Sequence, residues 1–315
     1  VMPPMAIGES DAHGAVSEKL CKYYDEKSKG GYIGLIIAEH SFISPEGRAG
    51  KKQLSISKDS DIDGLKKLVT VIHQNETKVF AQINHAGSAT TKEITGFESI
   101  SASSVALPHS KNKDLLPKEL TQSDIDKVIK DFVKASIRAK EAGFDGVEIH
   151  AAHGYLLNQF FSPLTNKRKD KYGGNSITGR MQLHLEIIRE IRHAVGNEYP
   201  IAIRLGACDY MENGTTIQDS VIASKEFEKA GIDLLDISGG FCIYRNPNTT
   251  EQGYFSDLSA AIKNEVNVPV ILTGGIVNAG VAEELLQTGK ADLIGVGRAI
   301  LKNSDWAKQA MTSLS

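Results

Sequence analysis

The chain is poor in cysteine. Its 315 residues contain three, Cys21, Cys208 and Cys242, far apart and without a Cys-x-x-Cys pair. That odd, scattered set excludes a disulfide framework, a structural zinc and an iron–sulfur cluster, and a reducing, cytoplasmic location is expected. An excess of one charge is missing too: 36 Lys and Arg stand against 39 Asp and Glu, a formal net charge of -3. Neither nucleic acid nor an anionic membrane is expected as a partner. No apolar run is long enough to span a bilayer, and no basic-then-apolar leader opens the chain. No His-Glu-x-x-His or His-x-His pattern marks a metal site, and no metal is expected. A Gly-x-Gly-x-x-Gly turn after the first strand is absent, which weakens an open dinucleotide-binding sheet.

What is present is an ordinary globular composition, 41% hydrophobic and 24% charged, enough for a sizeable core. Short, nearly continuous apolar runs alternate with longer stretches of helical period. Strands are expected at residues 1–2, 33–39, 79–84, 146–150, 201–205, 234–238, 268–273 and 293–296. Helices are expected at 16–29, 62–75, 123–142, 181–195, 217–230, 258–266, 279–288 and 306–311, several stopping at Gly143, Gly196, Gly231 or Gly289. Eight strand–helix units in this length give an α/β fold, a single-domain (β/α)8 TIM barrel. Long loops are expected after strands three and four, over residues 85–121 and 158–177. The first strand opens at Val1, so a short preceding segment is expected to be missing.

The most informative stretch is Glu148-Ile149-His150-Ala151-Ala152-His153-Gly154-Tyr155-Leu156, which sets two imidazoles and a phenol just past a buried strand. Neutral imidazole N–H groups can grip a carbonyl oxygen, and a phenol can deliver a proton. Two histidines three apart can also be metal ligands, with Glu39 and His40 as further donors, but no third-ligand pattern supports that reading. In barrels the strand C-termini form the site face. There, Thr273-Gly274-Gly275 and Gly295-Val296-Gly297-Arg298 offer small residues and a cation for a phosphate, unless the glycines only permit tight turns. Gln82 and Arg204 interrupt apolar strands and suit the polar edge of a flat heterocycle; for Arg204 the alternative is an internal pair with Asp209 or Asp236.

Together these motifs give the chain a resemblance to the Old Yellow Enzyme family of FMN-dependent ene-reductases, in its bacterial NADH:flavin oxidoreductase branch. The resemblance spans the whole chain. It runs through Val1-Met2-Pro3-Pro4-Met5, Gly34-Leu35-Ile36-Ile37-Ala38-Glu39, Gln82-Ile83-Asn84-His85-Ala86-Gly87 and the His150-x-x-His153-x-Tyr155 box. It continues through Phe161-Ser162-Pro163-Leu164-Thr165-Asn166, Tyr172-Gly173-Gly174 and Gly297-Arg298.

The resemblance implies one FMN-binding domain over residues 1–315, with NADH or NADPH as reductant and a small-molecule electrophile as oxidant. It implies that Pro4 and Met5 touch the flavin ring, with Ala6 and His40 beside it. Gln82 and Arg204 would hold its pyrimidine edge, and Gly274, Gly275, Gly297 and Arg298 its phosphate. His150 and His153 would grip a substrate carbonyl, and Tyr155 would donate a proton. Ala6 stands where Thr or Cys is common, and His40 replaces a small residue, so flavin potential and substrate preference are open. The run from Asn175 to Gln182 also departs from the family pattern.

Three functions follow: a ping-pong reductase of activated alkenes, a non-flavin aldolase or isomerase of a phosphorylated sugar, or a catalytically idle flavin-binding relative. A homo-oligomer is left open.

Overall fold

The computed structural model describes residues 1–110 and 113–314. Lys111 and Asn112, inside the expected 85–121 loop, lie outside the described residues, as does Ser315. In chain order the elements are α1 (Glu18–Ser28), β1 (Leu35–Phe42), α2 (Ile62–His73), β2 (Lys78–Asn84), α3 (Lys92–Thr95), β3 (Ile100–Ser101), β4 (Lys118–Glu119), α4 (Gln122–Glu141), β5 (Gly146–Ala151), α5 (Leu156–Phe161) and α6 (Ile177–Val195). Then come β6 (Ile201–Gly206), α7 (Ile217–Ala230), β7 (Leu234–Ser238), α8 (Ser256–Lys263), β8 (Val270–Thr273), α9 (Ala279–Gln287), β9 (Leu293–Gly295), α10 (Arg298–Lys302) and α11 (Trp306–Leu314).

Seven strands form one parallel sheet in the order β1-β2-β5-β6-β7-β8-β9. Val1 and Met2 join its two edges. The Val1 backbone nitrogen donates to the Ile294 carbonyl at 2.9 Å, and Val296 N–H donates to the Val1 carbonyl at 2.9 Å. On the other side Met2 N–H donates to the Leu35 carbonyl, and Ile37 N–H to that of Met2, each at 2.9 Å. The sheet therefore curls into a TIM-barrel-like ring with helices outside it.

The strand period of two explains what fills the ring. Ile37, Phe80, Ala202, Leu234 and Ile271 pack together as an inner apolar layer, separate from the larger core between strands and helices. Two residues further along the same strands, facing the same way, come Gln82, Arg204, Asp236 and Thr273, joined by Glu148 of β5. Asn84, His150 and Ser238 follow two residues later again. Each buried Leu, Ile or Phe of the lower layer stabilises by about 1.5–3 kcal/mol. The polar layers above it contribute no such burial, and so need partners or a function.

Local signals set the outer ring. Thr121 with Asp124 and Thr216 with Asp219 form capping boxes at the starts of α4 and α7, and Gly231 ends α7 at φ 114°. Several boundaries differ from expectation. β1 runs to Phe42 because a register shift between Ala38 and Ser41 lets the ladder continue past Glu39. β8 starts at Val270 instead of 268, α8 spans Ser256–Lys263, and α6 begins already at Ile177, where Ser176 accepts from the Gly179 N–H. The expected loop at 158–177 opens inside α5. That helix buries all six of its residues, so it carries no amphipathic pattern to reveal it. The excursion after β2 holds α3 and the short β3–β4 ladder, and its His109 Nε2 donates to the Phe241 carbonyl at 2.6 Å.

Candidate active site

Polar strand ends and glycine-rich turns meet at one cavity of about 640 Å³. Pro4, Met5, Ala6, His40, Gln82, His150, His153, Tyr155, Arg204, Gly275, Gly297 and Arg298 all face it. Gly274 is the exception among the expected residues. Its carbonyl accepts from the N–H groups of Gly253 and Tyr254, so its backbone anchors the loop after β7. Glu39 also stands outside the lining. One of its carboxylate oxygens takes the Ile7 N–H at 3.2 Å, which ties down the chain just past Ala6, and burial pushes its pKa up to about 7.

The strand-end histidines and the phenol form one cluster. The His150 ring lies 5.1 Å from that of His153 and 5.0 Å from that of Tyr155, and His40 lies 5.4 Å from Tyr155. A turn with His153 at φ 60° and Gly154 at φ 77° reverses the chain so that Tyr155 faces back toward His150. The side chain of Asn158 holds that turn by accepting the Gly154 N–H at 2.7 Å. Burial lowers the pKa of His150 and His153 well below the ordinary value, and the neighbouring histidines and Arg204 add to it. His40 is lowered to about 4, first by burial and then by Arg204. All three imidazoles are therefore neutral at pH 7, and burial raises the Tyr155 phenol so that it stays protonated. With the Gln53 amide donating to His40 Nδ1 at 2.7 Å, the His40 proton sits on Nε2. His153 Nε2 pairs with Ser238 Oγ at 2.7 Å, while the buried His150 Nδ1 has no protein partner.

Below this cluster lies a charged layer. Arg204 Nε stands 3.3 Å from Asp236 Oδ2, so the internal pair considered for Arg204 exists, although the arginine also faces the cavity. Asp209, the other candidate partner, instead accepts from Ser162, Thr215 and Phe241. Gln82 Nε2 donates to Glu148 Oε1 at 2.8 Å. Burial and the Asp236 charge drive the Glu148 pKa strongly up, against the pull of Arg204 and Gln82. Burial raises Asp236 as well, with Arg204 opposing. The 3.3 Å approach of Arg204 favours charge on Asp236, while burial favours the neutral form of Glu148.

At the other end of the cavity the backbone comes close. A Cβ added at Gly275 (φ +71°) would sit 2.5 Å from the Tyr254 ring and 3.3 Å from Arg298 Nη2. One added at Gly297 would meet Met5 Sδ at 3.3 Å and Pro3 Cγ at 3.4 Å. Arg298 opens α10, and its Nη2 donates to the Tyr254 hydroxyl at 3.1 Å. Sequence reasoning missed the third wall, formed by Ile243, Tyr244, Arg245 and Tyr254. The one available signal was a long stretch of aromatic and cationic residues right after a strand C-terminus.

Compared with known proteins, residues 1–315 match the profile of the NADH:flavin oxidoreductase / NADH oxidase family from end to end. The chain belongs to this family. It is 41% identical over 318 residues to an NADH oxidase of Thermoanaerobacter brockii, covering 98% of this chain but only 48% of that protein. The chain thus spans about half the length of that relative. An NADPH dehydrogenase of Halalkalibacterium halodurans is 39% identical over 315 residues, covering all of this chain and 90% of the relative. Among solved structures, an old yellow enzyme homologue from Zymomonas mobilis superposes with a TM-score of 0.85 at 25% identity, covering 100% of this chain and 88% of that one.

Membership of this Old Yellow Enzyme-type oxidoreductase family brings FMN as flavin. The cavity fits that cofactor. It has close-approach glycines and an arginine at one end, and amide, guanidinium and an unpartnered imidazole nitrogen at the other. Among the described residues no three His, Cys, Asp or Glu side chains gather as a metal site, and no helix is long and apolar enough to cross a membrane.

Proposed function

We propose that residues 1–315 form one FMN-binding barrel domain that reduces activated C=C bonds, as in α,β-unsaturated carbonyl compounds or related electrophiles, with electrons from NAD(P)H. Reductant and oxidant take turns in the same place, which makes the kinetics ping-pong. The observation that carries this reading is the cluster at the cavity in which the His150 ring lies 5.1 Å from His153 and 5.0 Å from Tyr155. When bound, FMN supplies a hydride from its N5 to the substrate's Cβ.

The chain's residues do the rest. His150 and His153 donate N–H groups to the carbonyl oxygen, withdrawing electron density so that Cβ becomes electrophilic. Because both are neutral in this cavity, they polarise the oxygen without handing it a full proton. Tyr155 delivers the proton to Cα, and its raised pKa keeps that proton in place until needed. Pro4 and Met5 would lie along the flavin, with Ala6 and His40 beside it. Gln82 and Arg204 would hold its pyrimidine edge, the former oriented by Glu148 and the latter by Asp236. Gly274, Gly275 and Gly297 would shape the turns that receive the phosphate, and Arg298 would balance its charge. The sugar-phosphate alternative finds no lysine among the described lining residues to serve as a Schiff-base nucleophile.

Tyr155→Phe tests the reading. Alkene reduction should slow on the order of 10²- to 10⁴-fold, the usual weight of a general acid, while flavin bleaching by NADPH stays near wild type. Equal loss in both half-reactions would remove Tyr155 as the proton donor.

A further inference from the structure

Among the described residues three arginines line the cavity, Arg204, Arg245 and Arg298, and no aspartate or glutamate does. A guanidinium is a permanent cation, so each one needs an anion or open water. Arg204 has Asp236 beneath it. Arg298 stands beside Gly275 and Gly297, where one phosphate is expected. Arg245 is left over: it is exposed at the cavity mouth, solvated by water that an incoming anion would displace. Among the described residues its side chain makes no ion pair; it stacks over the Tyr244 ring at 5.6 Å.

The loop that carries Arg245 is fixed on both sides. Ile243 sits at φ 62°, a costly conformation for a β-branched residue and one that persists only where surrounding contacts impose it. Its N–H donates to the Gly240 carbonyl at 3.0 Å. Beyond Arg245, Asn246 Nδ2 donates to the Tyr254 carbonyl at 2.8 Å, and the Tyr254 hydroxyl donates to the Tyr244 carbonyl at 2.5 Å. Arg298 Nη2 donates to the same Tyr254 hydroxyl at 3.1 Å, and Arg245, Tyr254 and Arg298 all line the cavity. The Tyr244 ring in turn lies 6.4 Å from His153. A path therefore leads outward from His153 through Tyr244 to Arg245.

We infer that Arg245 is a binding residue for the dinucleotide reductant: it takes the pyrophosphate of NAD(P)H while His150 and His153 hold the nicotinamide amide. This rests on the proposed function of the same site. The pyrophosphate is one ribose away from the nicotinamide, so a ring held at His153 sends it outward along Tyr244, the side on which Arg245 lies. The 2′-phosphate that separates NADPH from NADH sits on the second ribose, on the far side of the pyrophosphate. Arg245 therefore favours both dinucleotides equally and does not choose between them. Its planar fork suits a phosphate oxygen pair.

The test uses FMN-loaded enzyme and three hydride donors: NADH, NADPH, and N-benzyl-dihydronicotinamide, which has the reactive ring but no phosphate. Anaerobic bleaching is followed at donor concentrations below saturation. For Arg245→Ala, both dinucleotides should react on the order of 10- to 100-fold more slowly, the weight of a charge-assisted hydrogen bond. The benzyl donor and the FMN content should not change, and Arg245→Lys should recover part of the loss. Equal slowing of all three donors would show that Arg245 only shapes the loop and would overturn the inference. So would unchanged rates throughout, or a loss confined to NADPH. If the wild-type enzyme is bleached by no donor at all, the functional reading of the site fails, and this inference with it.

Discussion

Replacing His184 by Leu should make the protein less sensitive to acid. His184 projects from α6, stacked on Phe227 at 5.6 Å with an interplanar angle of 22° and edge-on to Phe161 at 5.6 Å. It is 1% exposed, and neither ring nitrogen makes a well-aligned hydrogen bond, although the nearby Leu157 backbone opposes part of the effect of burial. Burial lowers its pKa from 6.5 to about 3. The unfolded chain takes up a proton near pH 6.5 and the folded chain does not, so this contribution is intact above that value and drains away as pH falls toward the folded pKa. Between pH 7 and pH 5 one such group costs about 2 kcal/mol of stability, a sizeable share of the ~5–15 kcal/mol of a typical fold. Leucine has a similar volume and no proton to gain, so the change at pH 7 should stay under about 1.5 kcal/mol.

The assay is urea unfolding of both proteins at pH 7 and pH 5. The difference between the two pH values should be smaller in His184→Leu by about 2 kcal/mol. An unchanged pH dependence would mean that the folded protein already accommodates the proton, and the argument from burial would be wrong. His85, lowered to about 4 chiefly by burial, acts in the same direction, as do the three site histidines. The wild-type stability should therefore fall steeply below pH 6.5.

Two further outcomes follow from contacts around the cavity. Gly275→Ala forces a Cβ against the Tyr254 ring at a positive φ; FMN should dissociate more readily on ultrafiltration, on the order of 10-fold or more, and unchanged retention would separate Gly275 from the phosphate site. Asp236→Asn leaves the buried Arg204 without its counter-charge and should cost about 3–5 kcal/mol in urea unfolding. Glu148→Gln should cost far less, because burial and the Asp236 charge push that acid toward its protonated form; equal damage from the two would show that Glu148 carries the negative charge.

Much of the barrel could be read in the chain because its strands are buried on both faces. Runs such as Leu35-Ile36-Ile37-Ala38 and Ile201-Ala202-Ile203 leave no other explanation at that length. The polar intruders Gln82, Arg204 and His150 stood out for the same reason, and the strand period carries all three to the cavity. Glu148 belonged to the same box yet received no role, since only the β2–β5 register shows that it faces Gln82. Boundaries slipped where a tertiary contact decides them, as in the register shift that extends β1 and in α5, whose six buried residues have no exposed face. Arg245 and Tyr244 escaped because nothing local ties them to His153; that proximity exists only once β5 and β7 are both in the ring.

The central claim is that this cavity holds a redox-active FMN fed by a nicotinamide nucleotide. The most direct measurement is the visible absorption spectrum of the purified protein, first as isolated or after adding FMN, then after anaerobic addition of NADH and NADPH in turn. The account predicts a flavin spectrum that bleaches with at least one of the two. A protein that stays colourless and cannot be reconstituted with FMN, or a bound flavin that neither nucleotide bleaches, would contradict it.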